Sequence, residues 1–88
     1  MCHNIRPLFN FEPPATEEEV RNASLQFVRK ISGTSKPSKA NQAAFDSAVA
    51  EVTESCQRLL RAMVTQAPPR DREIEAAKAK ERARQRFA

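Results

Sequence analysis

Cys2 and His3 are adjacent residues at the start of the chain whose side chains could bind a metal ion. A histidine in third position after a free amine can chelate Cu(II) or Ni(II) through the intervening amides, and a thiolate also suits Zn(II). A zinc site normally needs four ligands at recognisable spacing, however, and the other cysteine, Cys56, lies on an apolar helix stripe. A metal or redox role of Cys2 and His3 is therefore the weaker interpretation. The stronger interpretation is that these N-terminal residues pack against the helical body of the protein.

Covalent catalysis has less support than metal binding. A nucleophile needs a nearby base and an orienting group, but His3 is the only histidine in the chain. Cys56 lies on an apolar stripe and is best interpreted as an inert small hydrophobe, and no pair of carboxylates stands out from the solvated helix faces. A chain of 88 residues also has little material with which to enclose a catalytic cleft. We therefore expect a protein that is not an enzyme, with no cofactor and no small-molecule substrate.

All of the net charge lies in the last thirteen residues. Residues 1–75 contain ten basic and ten acidic side chains, whereas residues 76–88 contain five basic side chains and one acid. Clustered cations favour a polyanion or an acidic protein as partner. The candidate phosphate-binding residues are Lys78, Lys80, Arg82, Arg84 and Arg86. Such contacts give salt-dependent affinity without sequence preference, and the alternative is a solvated helix that keeps the protein soluble.

A second candidate anion site lies in residues 32–41, where Lys36, Ser38 and Lys39 precede the longest predicted helix. Free amides at a helix N-terminus attract phosphate or carboxylate. The spacing of a P-loop is absent. An ordinary connection in which Ser38 caps the helix is the favoured interpretation.

Two helices must position these residues. Thr16 and Glu19 form a capping-box pattern that predicts a helix start, and Gly33 predicts its end. In the second helix, a stripe of apolar residues at helical spacing runs from Phe45 to Met63. The two prolines in residues 67–69 must end this helix. The sequence therefore predicts an all-α fold, a helical hairpin of residues 16–32 and 38–66, with a third helix from about residue 71.

The regions outside the hairpin differ in composition. Residues 1–15 form an apolar arm whose three prolines exclude a regular helix. Phe9 and Phe11 in this arm either complete the core or bind a partner. We predict one unit of arm plus helical body over residues 1–67 and a basic helical tail over residues 68–88.

Several stretches match, in combination, one pattern that covers nearly the whole chain. They are residues 1–5, 9–16, 26–30, 32–33, 36–41, 69–73 and 86–87. On these residues the chain resembles a family of short, uncharacterised bacterial proteins that commonly begin Met-Cys-Arg-Asn-Ile. The resemblance implies a small helical cytoplasmic protein and brings no reaction or ligand. His3 stands where the family usually has arginine, so a metal site there cannot be a role that the family shares.

Three functions remain as hypotheses. The first is weak, salt-dependent binding of nucleic acid or ribonucleoprotein through the basic tail. The second is a protein-interaction module that uses Phe9, Phe11 and the apolar stripe of the second helix, and the third is the metal or redox role of Cys2 and His3. The long stripe exceeds what one short helix covers, which favours a homo-oligomer. Two cysteines without a disulfide framework favour the cytoplasm, and no stretch is apolar enough to predict a membrane span.

Overall fold

Three helices and one pair of very short strands make up the protein. The computed structural model describes the backbone of residues 5–87 and the side chains of residues 5–86. In chain order the elements are β1 (Phe11–Glu12), α1 (Glu17–Ser32), a 3₁₀ turn (Lys39–Asn41), α2 (Gln42–Ala62), β2 (Arg70–Asp71) and α3 (Arg72–Phe87). The prediction of a small, predominantly helical fold is confirmed. None of the helices in the described part of the chain is long and apolar enough to cross a membrane.

The boundaries of α1 are those that the sequence predicts. The Thr16 hydroxyl accepts a hydrogen bond from the Glu19 amide at 3.1 Å, and the Glu19 carboxylate accepts one from the Thr16 amide at 2.9 Å. This capping box satisfies two amides that the helix itself leaves free. At the other end Gly33 adopts a φ of 74° and donates its amide to the Arg29 carbonyl. Only glycine takes that left-handed conformation without strain.

The ends of α2 differ from the prediction. The Ser38 hydroxyl caps no backbone amide; it accepts a hydrogen bond from the Asn41 side chain instead. The predicted side-chain cap is therefore wrong, because the 3₁₀ turn separates Ser38 from the α-helix. The helix ends at Ala62, four residues earlier than predicted, and Met63 is already extended. The chain must be extended here for residues 70 and 71 to reach the arm.

The core lies between α1 and α2 and is small. Val20, Val28, Phe45 and Val49 are its buried apolar side chains. The residues late in α1 lie beside those early in α2, so the two helices run antiparallel. The buried Ser24 hydroxyl donates to the Val20 carbonyl at 2.9 Å, which satisfies it within its own helix. Four side chains are a thin core for a chain of this length.

The strands β1 and β2 pair in parallel and join the arm to the start of α3. Phe11 lies opposite Arg70, and the Arg70 amide donates to the Asn10 carbonyl at 2.8 Å. The Asn10 side-chain amide donates to the carbonyls of Ala67 and Pro68. Residues nearly sixty positions apart are thereby held together. Two-residue strands have no periodicity, so the sequence contains no signal for them.

The molecule is flat. It measures 44 × 38 × 15 Å, with a radius of gyration of 15.7 Å, whereas a compact chain of 88 residues has one of about 12 Å. The chain is thus spread along two long dimensions and short in the third, and the side chains of α3 are exposed from residue 76 to residue 86.

Candidate functional site

An arginine–glutamate pair closes the junction of arm, α1 and α3. The Arg72 guanidinium donates to both oxygens of the Glu19 carboxylate, each at 2.9 Å, in the paired geometry that strengthens such contacts. Its Nε donates to the Pro13 carbonyl at 2.6 Å. Arg6 of the arm reaches the same carboxylate at 3.5 Å. We call these four residues the clamp, because they tie three separate stretches of the chain together.

The clamp changes the acidity of Glu19. Hydrogen bonds from the Arg72 side chain, then from the Thr16 amide, lower the pKa of the Glu19 carboxyl from 4.5 to about 2. Partial burial opposes this shift, and the positive charge of Arg72 adds to it. Glu19 therefore stays ionised at neutral pH. A carboxylate saturated with donors is unsuited to acid–base chemistry near pH 7.

Phe11 of the arm belongs to the same junction. The guanidinium carbons of Arg70 and Arg72 lie 5.4 and 5.8 Å from the centre of its ring, within the range of a cation–π contact. Phe9 is also half-buried. Of the two rings predicted as partner contacts, Phe11 thus lies where the arm meets the start of α3, in contact with two arginines.

The basic helix α3 leaves the body after the clamp. Asp71 accepts a hydrogen bond from the Ile74 amide and so caps its start. From residue 76 to residue 86 every described side chain is exposed. Ion pairs within the helix join Lys78 to Glu75 and Arg84 to Glu81. The other three predicted phosphate contacts, Lys80, Arg82 and Arg86, have no ion pair among the described residues.

An apolar trough runs along one face of the α1–α2 pair and contains two hollows. The first has a volume of about 410 Å³ and lies between Phe27 and Ile31 on one side and Ala44 and Ala48 on the other. The second, of about 350 Å³, lies between the Ala23–Phe27 stretch and the later part of α2. Ile5 and Leu8 of the arm close its end. The residues of the second hollow on α2 are Val52, Cys56, Leu59 and Leu60.

Phe27 is the ridge between the two hollows, since its ring lines both. Its side chain is 46% exposed, and that of Leu59 across the second hollow is 56% exposed. Ile31 and Met63 are also exposed. Scattered apolar residues on a surface are ordinary, but a contiguous face of this kind is typical of an interaction site. Cys56 lies inside the second hollow, half-buried, as an apolar lining residue.

The remaining predicted site residues are not brought together into one pocket. Cys2 and His3 lie outside the described residues. Lys36 and Lys39 are exposed and have no ion pair within residues 5–86. The hydroxyl of Ser38 is already bonded to Asn41. Among the described residues no group of three or more histidine, cysteine or acidic side chains could hold a metal ion.

The sequence contains no signal for one feature of the site and a partial signal for another. Arg72 has no distinguishing signal, because its partner is 53 positions away in the chain. The trough does have a sequence signal, because α1 carries two large apolar residues, Phe27 and Ile31, in addition to the valines that it buries. A stripe wider than its partner helix can cover predicts a second apolar face.

Comparison with known proteins places the chain in a family. No curated protein and no solved structure gives a significant match. One family model matches residues 1–78, and it is described as an uncharacterized conserved protein (DUF2277). These residues include the arm, the clamp and the whole trough, but only Lys78 of the five cations in the tail. The chain belongs to this family of uncharacterised conserved proteins.

Proposed function

We propose that the chain is a small bacterial, cytoplasmic and non-enzymatic protein-interaction module, whose docking surface is the apolar trough. One observation carries this proposal. Phe27 is half-exposed as a ridge between two apolar hollows of about 410 and 350 Å³. Large aromatic side chains next to apolar pockets are the usual anchors of protein interfaces.

The extent of the family match supports the trough over the tail. All residues of the trough lie within residues 1–78, whereas Lys80, Arg82, Arg84 and Arg86 lie beyond them. The family model thus covers the whole trough and only Lys78 of the basic cluster, which favours the trough as the surface that family members share.

The clamp also supports the proposal, because it positions the arm beside the second hollow. Arg6 contacts Glu19, and the neighbouring Ile5 and Leu8 form the end wall of the second hollow. A docking surface that is held in shape before binding loses less conformational entropy when its partner arrives. The clamp therefore gives the arm a defined position beside the trough.

A photo-crosslinking amino acid at position 59 tests the proposal in cells that express the full chain. Position 59 lies at the edge of the second hollow, and Ala50 is an exposed residue on the other side of α2. We expect discrete protein adducts from position 59 after irradiation and none from position 50. Equal adduct patterns from both positions, or no adduct from position 59, would contradict the proposal.

A second candidate function has an observation of its own. The helix α3 is exposed along residues 76–86, and three of its cations are free of ion pairs within the described chain. These cations could contact phosphates, each releasing condensed counterions. We therefore retain salt-dependent binding of a nucleic acid through α3 as the second proposal.

Neutralising three side chains together tests the second proposal: Lys80→Gln, Arg82→Gln and Arg86→Gln. Binding to a DNA duplex is measured by fluorescence anisotropy over a series of salt concentrations. If all three cations contact phosphates, the slope of log affinity against log salt should fall by about 2 to 3.

A control variant neutralises three exposed cations of the body: Arg21→Gln, Lys30→Gln and Lys36→Gln. It loses the same charge, so it separates local contact from the effect of net charge. We expect its slope to stay near that of the parent protein. Absence of binding at low salt, or an equal loss in both variants, would refute a role for α3.

A further inference from the structure

The α1–α2 pair lacks a second layer on the side of the trough. The molecule is 15 Å thick, and no described side chain is completely buried. Stable domains pack two layers of secondary structure against each other so that an apolar helix face meets another. Here the arm covers only one end of the trough. Among residues 5–86, no segment other than the arm, the two helices and their connection lines either hollow of the trough.

The chain exposes more area than a compact monomer of its mass. The chain exposes 7148 Å², whereas a compact monomer of 9.9 kDa exposes about 5,200 Å². The surplus is about 1,900 Å². A stable interface of standard size buries about 800 Å² on each partner, which this surplus can supply.

The rim of the trough on α2 allows another helix to approach closely. Ala48, Ser55 and Ala62 follow one another at intervals of seven residues, so they lie along one line of the helix. Ser55 and Ala62 are exposed, and Ala48 is half-buried. The line carries no charge, and its small side chains leave room for the backbone of a neighbouring helix.

The charged residues beside this line have a pattern that suits a second α2 running in the opposite direction, because acidic residues of one helix then face basic residues of the other. Acidic residues occupy α2 up to Glu54, and basic residues begin at Arg58. Glu51 and Arg58 are exposed on the outer side of the small-residue line, and Arg58 also pairs with Glu54 of its own helix at 2.9 Å. An antiparallel second α2, related by a two-fold axis near Ser55, places Glu51 of each copy opposite Arg58 of the other. The body as a whole is neutral, so the like charge that repels two copies is confined to their tails.

We propose that the occupant of the trough is a second copy of this chain, packed with its α2 antiparallel to the first. The inference rests on the proposed function, because it names the partner of the same trough. A two-fold axis makes the contact isologous, so each copy covers the second hollow of the other with the same surface. The Phe27 ridge of each copy then faces a hollow of its partner.

Sedimentation velocity of the purified full chain over a wide concentration range tests this proposal. We expect a dimer whose dissociation constant rises about thirtyfold or more with Leu59→Lys, because that change puts a charge into the trough. Ala50→Lys is the matched control on the opposite side of α2 and should leave the constant unchanged. Circular dichroism confirms that both variants fold. A dimer that is insensitive to Leu59→Lys would overturn the proposed contact.

Charge reversal tests the antiparallel arrangement separately. Glu51→Arg alone and Arg58→Glu alone should each weaken the dimer, since like charges then face each other across the axis. The double variant should restore the affinity of the parent protein to within about threefold. Additive weakening in the double variant would exclude this arrangement.

Cysteine crosslinking gives a readout that does not depend on affinity. In a background of Cys2→Ser and Cys56→Ala, a single cysteine at Ser55 lies beside the axis, where mild oxidation should join two copies. A cysteine at Ala50 should not react, because disulfide formation needs Cα atoms within about 7 Å.

The outcomes separate this inference from the proposed function. A monomer at all concentrations, together with adducts to another protein from position 59, overturns the second-copy proposal and leaves the interaction module standing. A monomer without any adduct from position 59 overturns both. Equal crosslinking at Ser55 and Ala50 also overturns the proposed packing.

Discussion

Replacing Phe45 by alanine should leave the protein largely unfolded at room temperature. Phe45 is one of four buried apolar side chains and packs against Val28 and Val49. Removing a buried phenylalanine side chain costs about 3–5 kcal/mol. A domain of 88 residues has a free energy of unfolding of about 4–13 kcal/mol, and so thin a core places this protein near the lower end. Urea denaturation followed by circular dichroism at fixed protein concentration measures the loss.

A matched pair of valines controls for this experiment. Val49 is 4% exposed and Val64 is 92% exposed, yet both become alanine with the same loss of two methyl groups. We expect Val49→Ala to cost about 2 kcal/mol and Val64→Ala to change stability by less than about 0.5 kcal/mol. Similar effects at both positions, or cooperative unfolding of Phe45→Ala near the parent midpoint, would show that the core lies elsewhere.

Replacing Glu19 by glutamine should lower stability at neutral pH and have little effect in acid. The carboxylate accepts two hydrogen bonds from Arg72, and its pKa is lowered to about 2. A lowered pKa means that the ionised form stabilises the folded state above about pH 4.5, and that this contribution is lost as the pH falls towards 2. Glutamine keeps the reach to the Thr16 amide, so the change isolates the charge.

Thermal unfolding of both proteins between pH 7 and pH 2 measures this effect. We expect a difference of about 1–2 kcal/mol at pH 7 that shrinks steadily below pH 4.5. Glu17→Gln is the control, because Glu17 is an exposed residue of the same helix turn. It should show a much smaller difference. A Glu19→Gln difference that does not vary with pH would mean that the clamp contributes no charge-dependent stability.

Local signals made the helices predictable. Thr16, Glu19 and Gly33 act through hydrogen bonds and backbone conformation within a few residues, so their types fix where α1 begins and ends. Ser38 failed as a predicted cap because the same local chemistry also permits a 3₁₀ turn. The early end of α2 at Ala62 has a distant cause, since the following residues must extend to pair with the arm.

The clamp and the trough depend on contacts between distant parts of the chain. Glu19 was assigned to a cap, and that role is correct, but its second role needs Arg72 from beyond α2. Arg72 is one of ten basic residues in a neutral stretch, and nothing in its neighbours distinguishes it. The trough depends on which part of each apolar stripe stays uncovered. Periodicity gives the direction of a stripe on its helix and leaves open how much of it the next helix covers.

The pairing of β1 with β2 also constrains the order in which the chain folds. The α1–α2 hairpin needs only contacts between two consecutive helices, which form sooner than contacts between the two ends of the chain. The clamp closes a loop of more than fifty residues, so it follows the hairpin. During synthesis from the N-terminus, Arg70 and Arg72 leave the ribosome after the whole hairpin has been made. Until then Phe11 has no arginine above it, and the growing chain exposes an apolar arm that a chaperone could bind.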